Sequence, residues 1–229
     1  MRRERLSVVA SEAVGPYRLL RLRRGALDPG LPGQFFMLQP AGRLLPRPLS
    51  LCLAPPGELA FLIEAVGPGT TALAAASRRD SIPVLGPLGT GYRLDVRRPL
   101  LVGGGIGVAP FPFLSQRLAR PPAVLGFRSV RHAEAAALVA NAEVVLEPRL
   151  VTEAIPDDRD VLACGPEGML RSVARIAPTA QLAWEAPMAC GYGACYGCAV
   201  DIGGDLRRLC LDGPVLAARA LLAGEAKAA

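Results

Sequence analysis

Residues 188–198 read Met-Ala-Cys-Gly-Tyr-Gly-Ala-Cys-Tyr-Gly-Cys, and a fourth cysteine follows at Cys210 within Leu-Cys-Leu-Asp-Gly-Pro. The spacing Cys190-x4-Cys195-x2-Cys198-x11-Cys210 opens with the x4-then-x2 order of plant-type [2Fe–2S] ligands. Four thiolates that converge on two irons need a loop that wraps round the cluster instead of packing on its own side chains. Gly191, Gly193 and Gly197 let the backbone take positive φ and bring N–H groups close to the sulfurs, which offsets the cluster's negative charge. A structural zinc site also uses four cysteines, but usually as a C-x2-C pair at each end of the site, and only one such pair is present. Disulfides suit an oxidising compartment, to which nothing in the chain points. Cys190, Cys195, Cys198 and Cys210 are therefore read as iron ligands.

A chain of 229 residues is long enough for two compact domains plus an appendage. Apolar residues make up 51% of it and aromatic ones only 5%, which predicts an aliphatic core. The net charge of +6 favours anionic cofactors or an acidic partner, yet the basic residues are scattered without a polybasic run, which argues against nucleic acid. The N-terminus, Met-Arg-Arg-Glu-Arg-Leu-Ser-Val-Val-Ala, lacks the long apolar segment of a signal peptide. No stretch approaches about 18 consecutive apolar residues, so no membrane span is expected. Cluster-type cysteines without a secretion signal point to a reducing cytoplasm. Cys52 and Cys164 fall outside the motif and read as small buried hydrophobes.

Residues 1–97 hold short apolar runs between Gly and Pro: 6–10, 17–22, 34–38, 49–53, 59–65 and 81–85, with a helix predicted over 70–77. Strands at this spacing predict a small antiparallel β-barrel. Two features there carry chemistry. Arg47-Pro48-Leu49-Ser50 enters a strand, where a guanidinium can bond a phosphate in bidentate fashion and a hydroxyl can reach a flavin ring. Gly69-Thr70-Thr71 sits at a helix start, where free N–H groups favour a pyrophosphate, although an N-cap alone looks the same.

Residues 98–184 alternate strand and helix, which predicts a parallel α/β sheet covered on both faces. The strand 100–102 runs into Gly103-Gly104-Gly105-Ile106-Gly107-Val108-Ala109-Pro110, with a helix after it. Glycines between a first strand and a first helix let a dinucleotide phosphate approach the backbone, and the same turn can be purely structural. Cys164-Gly165-Pro166 follows a later strand and precedes a helix, which puts it on the same carboxyl edge of the sheet. Further helices are predicted over 113–119, 133–140 and 168–176. His132, the lone histidine, reads as a solvated surface residue. Residues 185–229 form the third unit, a small cluster-binding domain.

In this order the motifs resemble the ferredoxin–NADP reductase superfamily, and within it the electron-transfer subunits of NAD-dependent dihydroorotate dehydrogenases. The resemblance rests on Gly33-Gln34-Phe35-Phe36, Arg47 to Ser50, Gly86-Pro87-Leu88-Gly89, Gly103 to Pro110, Cys164 to Pro166, Glu185, Met188 to Cys198 and Cys210 to Pro214. It implies FAD in the barrel, NAD in the sheet domain and a [2Fe–2S] cluster in the C-terminal domain. It also implies a partner subunit that carries FMN and oxidises dihydroorotate to orotate for pyrimidine biosynthesis, in a heterotetramer. Arg47 would then bind the FAD pyrophosphate beside Gly69, Thr70 and Thr71, with Pro48, Leu49 and Ser50 near the isoalloxazine. Gly104, Gly105, Ile106, Gly107 and Cys164, Gly165, Pro166 would face the nicotinamide nucleotide. No residue is assigned as a catalytic acid or base, because hydride leaves the flavin directly.

The chain departs from the family pattern in three places. The stretch between Leu146 and Asp160 is short and leaves only Val151-Thr152 of a longer loop, which bears on NAD against NADP. Ala186-Pro187 replaces a more usual Glu/Ser-Arg, and the x11 spacing before Cys210 trims the hairpin beside the cluster. A related flavin subunit, from sulfide dehydrogenases and NADH-dependent ferredoxin–NADP oxidoreductases, tends to carry Asp where Cys190 stands here. A carrier or sensor that keeps the cluster without nucleotide turnover is the rival from outside enzymology.

Overall fold

The computed structural model describes residues 1–225, so residues 226–229 of the segment read as the cluster domain lie outside it. Six strands come first: β1 (Arg2–Val14), β2 (Tyr17–Arg23), β3 (Phe35–Leu38), β4 (Arg47–Ser50), β5 (Glu58–Ile63) and, after helix α1 (Pro68–Ala74), β6 (Ser81–Leu88). They form one antiparallel sheet in the order β4-β3-β6-β1-β2-β5. Just past β4, Cys52 and Leu53 pair with Ala60 of β5 and so bring the two ends of the sheet together. The period of two is plain in β6, where Ile82, Val84 and Leu88 point inward between half-exposed neighbours. Phe36 and Phe61 meet edge to face inside, their centroids 5.6 Å apart. Each such ring contributes about 1.5–3 kcal/mol by leaving water.

The second layer is built from β7 (Pro99–Gly104), α2 (Phe111–Arg117), β8 (Ala123–Phe127), α3 (Val130–Ala133), β9 (Ala142–Leu146), β10 (Asp160–Cys164), α4 (Glu167–Ile176) and β11 (Gln181–Ala183). The five strands run parallel in the order β11-β10-β7-β8-β9. Alternate residues of β7 feed opposite faces. Leu100 and Val102 pack with Leu170 and Val173 of α4, while Leu101 packs with Phe111 and Leu114 of α2. In α4 the buried residues Leu170, Val173 and Ala174 are spaced three and four apart, and Glu167 in the first turn complements the helix dipole.

The helix predicted over 133–140 is replaced by α3 and a 3-10 turn, Glu134–Leu138. Only Ala135, Ala136 and Val139 reach the core there. With so little apolar stripe to bury, the segment tightens into a link between β8 and β9.

Past β11 come the hairpin β12 (Ala199–Ile202) and β13 (Asp205–Arg208), then β14 (Val215–Ala217) and α5 (Ala218–Glu225). β14 returns to the parallel sheet and pairs antiparallel with β11, and α5 lies beside α4. Barrel and sheet share apolar surface: Tyr17 and Leu19 of β2 pack among Phe111, Leu114 and Phe127. The buried Tyr92 hydroxyl donates to the Ala163 carbonyl at 2.9 Å. The seam between them is where the clefts open.

Candidate functional site

Parallel strands β7, β8 and β10 end on one edge, and the turns that follow them wall a cleft of about 540 Å³. Gly104 to Gly107, Phe127, Arg128, Gly165, Pro166 and Met169 line it, with Glu147, Arg149 and Val151 from the short segment after β9. Gly107 explains why two of these turns can share one wall. A Cβ there would lie 2.3 Å from the Cys164 carbonyl oxygen and 2.6 Å from the Gly165 Cα. The two turns therefore pack backbone against backbone.

His132 lies at the surface, as its sequence neighbours suggest, but it is partnered there. Half-buried in the cleft wall, it accepts a hydrogen bond at Nε2 from Arg128 Nε at 2.8 Å, and its Nδ1 lies 2.8 Å from the Ser129 hydroxyl. Its ring meets Tyr17 edge-on at 5.8 Å. The imidazole thus aims Arg128, whose Nη2 lies 3.2 Å from Glu64 Oε1 across the seam. An exposed pair of this kind contributes at most about 1 kcal/mol, so its significance is positional.

The second cleft, about 460 Å³, opens on the barrel side and is lined by Phe35, Pro48, Leu49, Ser50, Thr70, Cys164, Trp184, Met188 and Pro214. Three residues border both clefts: Glu64, Ile106 and Glu185. Cys164 thus faces the second cleft, while Gly165 and Pro166 face the first. Burial, with Glu185 second, holds the Cys164 thiol well above its usual range. Arg47 Nη1 donates to the carbonyls of Leu45 and Pro46 at 2.9 and 3.1 Å, which fixes the guanidinium against Gly69. A Cβ on Gly69 would come within 2.4 Å of Arg47 Nε.

The start of α1 is less free than its sequence implies. The Thr71 N–H donates to the Gly67 carbonyl at 2.8 Å, and Thr71 itself is exposed. The Thr70 hydroxyl accepts from the N–H groups of Val66 and Gly67, both at 3.1 Å, so it closes its own turn. Gly69 is buried beneath the Arg47 guanidinium, and Arg47 itself is left half-exposed.

The cysteine loop lies against the barrel beside the second cleft. Gly191 and Gly193 hold φ of +81° and +88°, and a Cβ on Gly191 would fall 2.6 Å from Met37 Cγ. Only glycine fits so close to β3 in that conformation. Burial pushes the Cys190 thiol up, yet hydrogen bonds from the Tyr192, Cys195 and Ala194 N–H groups and the Cys195 side chain prevail and bring it down to about 6. Cys198 Sγ lies 3.1 Å from Cys210 Sγ, and burial followed by Cys198 raises Cys210 to about 12. Arg208 braces the loop: its Nη1 donates to the Gly193 carbonyl at 3.0 Å and its guanidinium covers the Tyr196 ring at 4.7 Å.

The four thiols thus stand as two neighbouring pairs, Cys190 with Cys195 and Cys198 with Cys210. Among the described residues no group of three or more His, Cys, Asp or Glu side chains is arranged to hold a single metal ion. Two thiol pairs, with N–H groups directed at one of them, fit a two-iron cluster in donor chemistry and in number.

Comparison with known proteins agrees with the cysteine loop. A family model described as the iron-sulfur cluster binding domain of dihydroorotate dehydrogenase B matches residues 185–222. The chain is 35% identical to the dihydroorotate dehydrogenase B (NAD(+)) electron transfer subunit of Bacillus caldolyticus, over 94% of this chain and 97% of that one. It belongs to that family. A subunit of the same name from Listeria monocytogenes serovar 1/2a is 36% identical over 82% of this chain and 85% of the relative.

Among solved structures, an NADH-dependent reduced ferredoxin-NADP oxidoreductase aligns with a TM-score of 0.83 at 23% identity, over 94% of this chain and 88% of that one. Phthalate dioxygenase reductase aligns with a TM-score of 0.64 at 16% identity, over 77% and 64%. These two likenesses show the fold: an antiparallel barrel, a parallel α/β sheet and a cysteine-rich C-terminal segment, as the sequence predicts. Like other members, the chain is an electron-transfer subunit of an oxidoreductase with an iron–sulfur domain on a flavin- and nicotinamide-type fold.

Sequence reasoning missed Arg128, Arg149 and Glu64, and it named Glu185 without a role. Arg128 had a signal, since it follows a strand at the carboxyl edge. Glu64 had none, because its place depends on two layers meeting.

Proposed function

We propose that this chain carries electrons from the FMN of a dihydroorotate-oxidising partner, by way of a [2Fe–2S] cluster and FAD, to NAD⁺. When bound, the cluster supplies one-electron transfer and FAD supplies the exchange between single electrons and a hydride. Cys190 and Cys195 would hold one iron, and Cys198 and Cys210 the other. Arg47 and Gly69, with Thr70 and Thr71 beside them, would hold the FAD pyrophosphate, while Pro48, Leu49 and Ser50 flank the isoalloxazine. Gly104, Gly105, Ile106 and Gly107, with Gly165 and Pro166, would carry the nicotinamide nucleotide, Arg128 and Arg149 facing its phosphates and Cys164 marking the border with the flavin. The protein supplies orientation; no side chain need move a proton in the hydride step.

One observation carries this reading: the Cys190–Cys195 pair lines a groove joined to the second cleft through β3 and the Met188–Ala189 step. Phe35 and Met188 line that cleft, and Met37, Ala189, Cys190 and Cys195 line the groove next to it. Leu44 at 92% exposure, with Leu45, Tyr192 and Tyr196 also exposed, surrounds the thiols with apolar surface. That surface suits a catalytic subunit in a heterotetramer. A thiolate ligand set that oxidation would consume supports a cytoplasmic location. Among the described residues no helix is long and apolar enough to cross a membrane.

The test is to purify the chain with its FMN-bearing partner and measure dihydroorotate-dependent NAD⁺ reduction. NADH and orotate formed in equal amounts are expected. A partner that reduces dyes with dihydroorotate, yet gives no NADH when this chain is present, would overturn the proposal.

A further inference from the structure

Any ring that enters by the first cleft and reacts with a flavin in the second must pass the residues common to both. Those residues are Glu64, Ile106 and Glu185. Ile106 is apolar, and Glu64 has a cation beside it, Arg128 at 3.2 Å. Glu185 differs: among the described residues its carboxylate has no hydrogen-bond or ion-pair partner. Glu185 is exposed by its accessible surface and opens onto both clefts, while protein packed behind the side chain crowds the carboxylate. Burial first, and then the neighbouring Glu64, raise its pKa. A carboxylate held this way lacks a cation.

We propose that Glu185 makes the site prefer the oxidised, cationic nicotinamide ring over the reduced, neutral one. This rests on the reading that NAD fills the first cleft and flavin the second. A hydride delivered to the ring brings two electrons and one proton, and it discharges the ring's positive charge. The donor is the reduced flavin of that reading, which is oxidised as the ring is reduced. The Coulomb attraction to Glu185 therefore exists for NAD⁺ and vanishes for NADH, so the product is held less tightly than the substrate. Ground-state selectivity of this kind lets NADH leave more readily and so limits product inhibition of NAD⁺ reduction, while the overall equilibrium is unchanged.

The test is Glu185→Gln, which removes the charge and keeps a hydrogen-bonding side chain of the same size. Three probes are titrated calorimetrically against the oxidised, cofactor-loaded chain. They are NAD⁺, the neutral and hydride-inert 1,4,5,6-tetrahydro-NADH, and ADP-ribose, which lacks the ring. In the open cleft the charge is partly screened, so NAD⁺ affinity should fall about tenfold, equivalent to about 1.4 kcal/mol. The neutral analogue and ADP-ribose should change by less than about twofold.

Equal weakening of NAD⁺ and the neutral analogue would mean that Glu185 serves the carboxamide or the fold, and unchanged NAD⁺ affinity would mean that the charge is not felt. Either result overturns the proposal alone. Failure of the wild-type chain to bind ADP-ribose or NAD⁺ would instead overturn the nucleotide-cleft reading and this proposal with it.

Discussion

Gly107→Ala tests whether the first cleft is built as described. The new Cβ would stand 2.3 Å from the Cys164 oxygen and 2.6 Å from both the Cys164 carbonyl carbon and the Gly165 Cα, where ordinary contacts begin at 3.4 Å. The turns after β7 and β10 must then separate by about 1 Å, and since every neighbour is backbone, no rotamer change can relieve the overlap. Overpacking of this kind costs about 1–3 kcal/mol, taken here as about 2. For a chain of this length each kcal/mol shifts the melting temperature by about 2–4 °C, so a fall of about 4–8 °C is expected. Because the displaced turns are the nucleotide wall, ADP-ribose affinity should fall at least about tenfold while flavin stays bound in the barrel. Gly168→Ala is the control, since nothing lies within 4 Å of its added Cβ. Calorimetric melting and ADP-ribose titration of both variants provide the assay. A melting point within about 1 °C of wild type, with unchanged affinity, would refute the backbone-on-backbone packing.

Three further outcomes follow from the same geometry. Cys195→Ser should lose or destabilise the cluster yet keep flavin, with NADH-to-dye activity within about twofold of wild type; joint loss of both would contradict separable modules. In Gly69→Ala the new Cβ meets the far end of the Arg47 side chain, which can swing away, so the fold should survive while FAD affinity measured by dialysis drops about tenfold. Wild-type FAD affinity in that variant would show that Arg47 does not grip the cofactor. Burial raises Cys52 from 9.0 to about 12, and burial with Glu64, against the opposing effect of Arg128, raises Tyr17 from 10.0 to about 12. The folded state keeps protons there that the unfolded chain releases, so the contribution of these two groups to stability should be level up to about pH 9 and fall between about pH 9 and pH 12. Urea midpoints at about pH 7.5 and about pH 10.5 check this, and equal midpoints would contradict it.

Most of the architecture was written in local pattern. Alternating runs bounded by Gly and Pro gave the barrel strands, and the strand predicted at 100–102 lies within β7. The paired cysteines were legible because ligand spacing is a property of one short segment. What escaped was whatever depends on segments meeting. The 133–140 stretch has helical composition but too little core to cover, so a 3-10 turn prevails. Nothing local says that Val215–Ala217 returns to pair with β11, or that His132 should orient Arg128 toward Glu64. At α1 the residues were read correctly as a helix start, but Thr70 spends its hydroxyl on that turn instead of facing outward.

The central claim is that the four thiols hold a two-iron cluster beside a flavin. A metal, sulfide and flavin assay of protein purified without oxygen, with its visible spectrum, tests that most directly. The account predicts about two irons, about two acid-labile sulfides and about one FAD per chain, with flavin bands and cluster shoulders together in one spectrum. A colourless protein with about one zinc per chain would contradict it, and electron transfer would have no carrier in this chain.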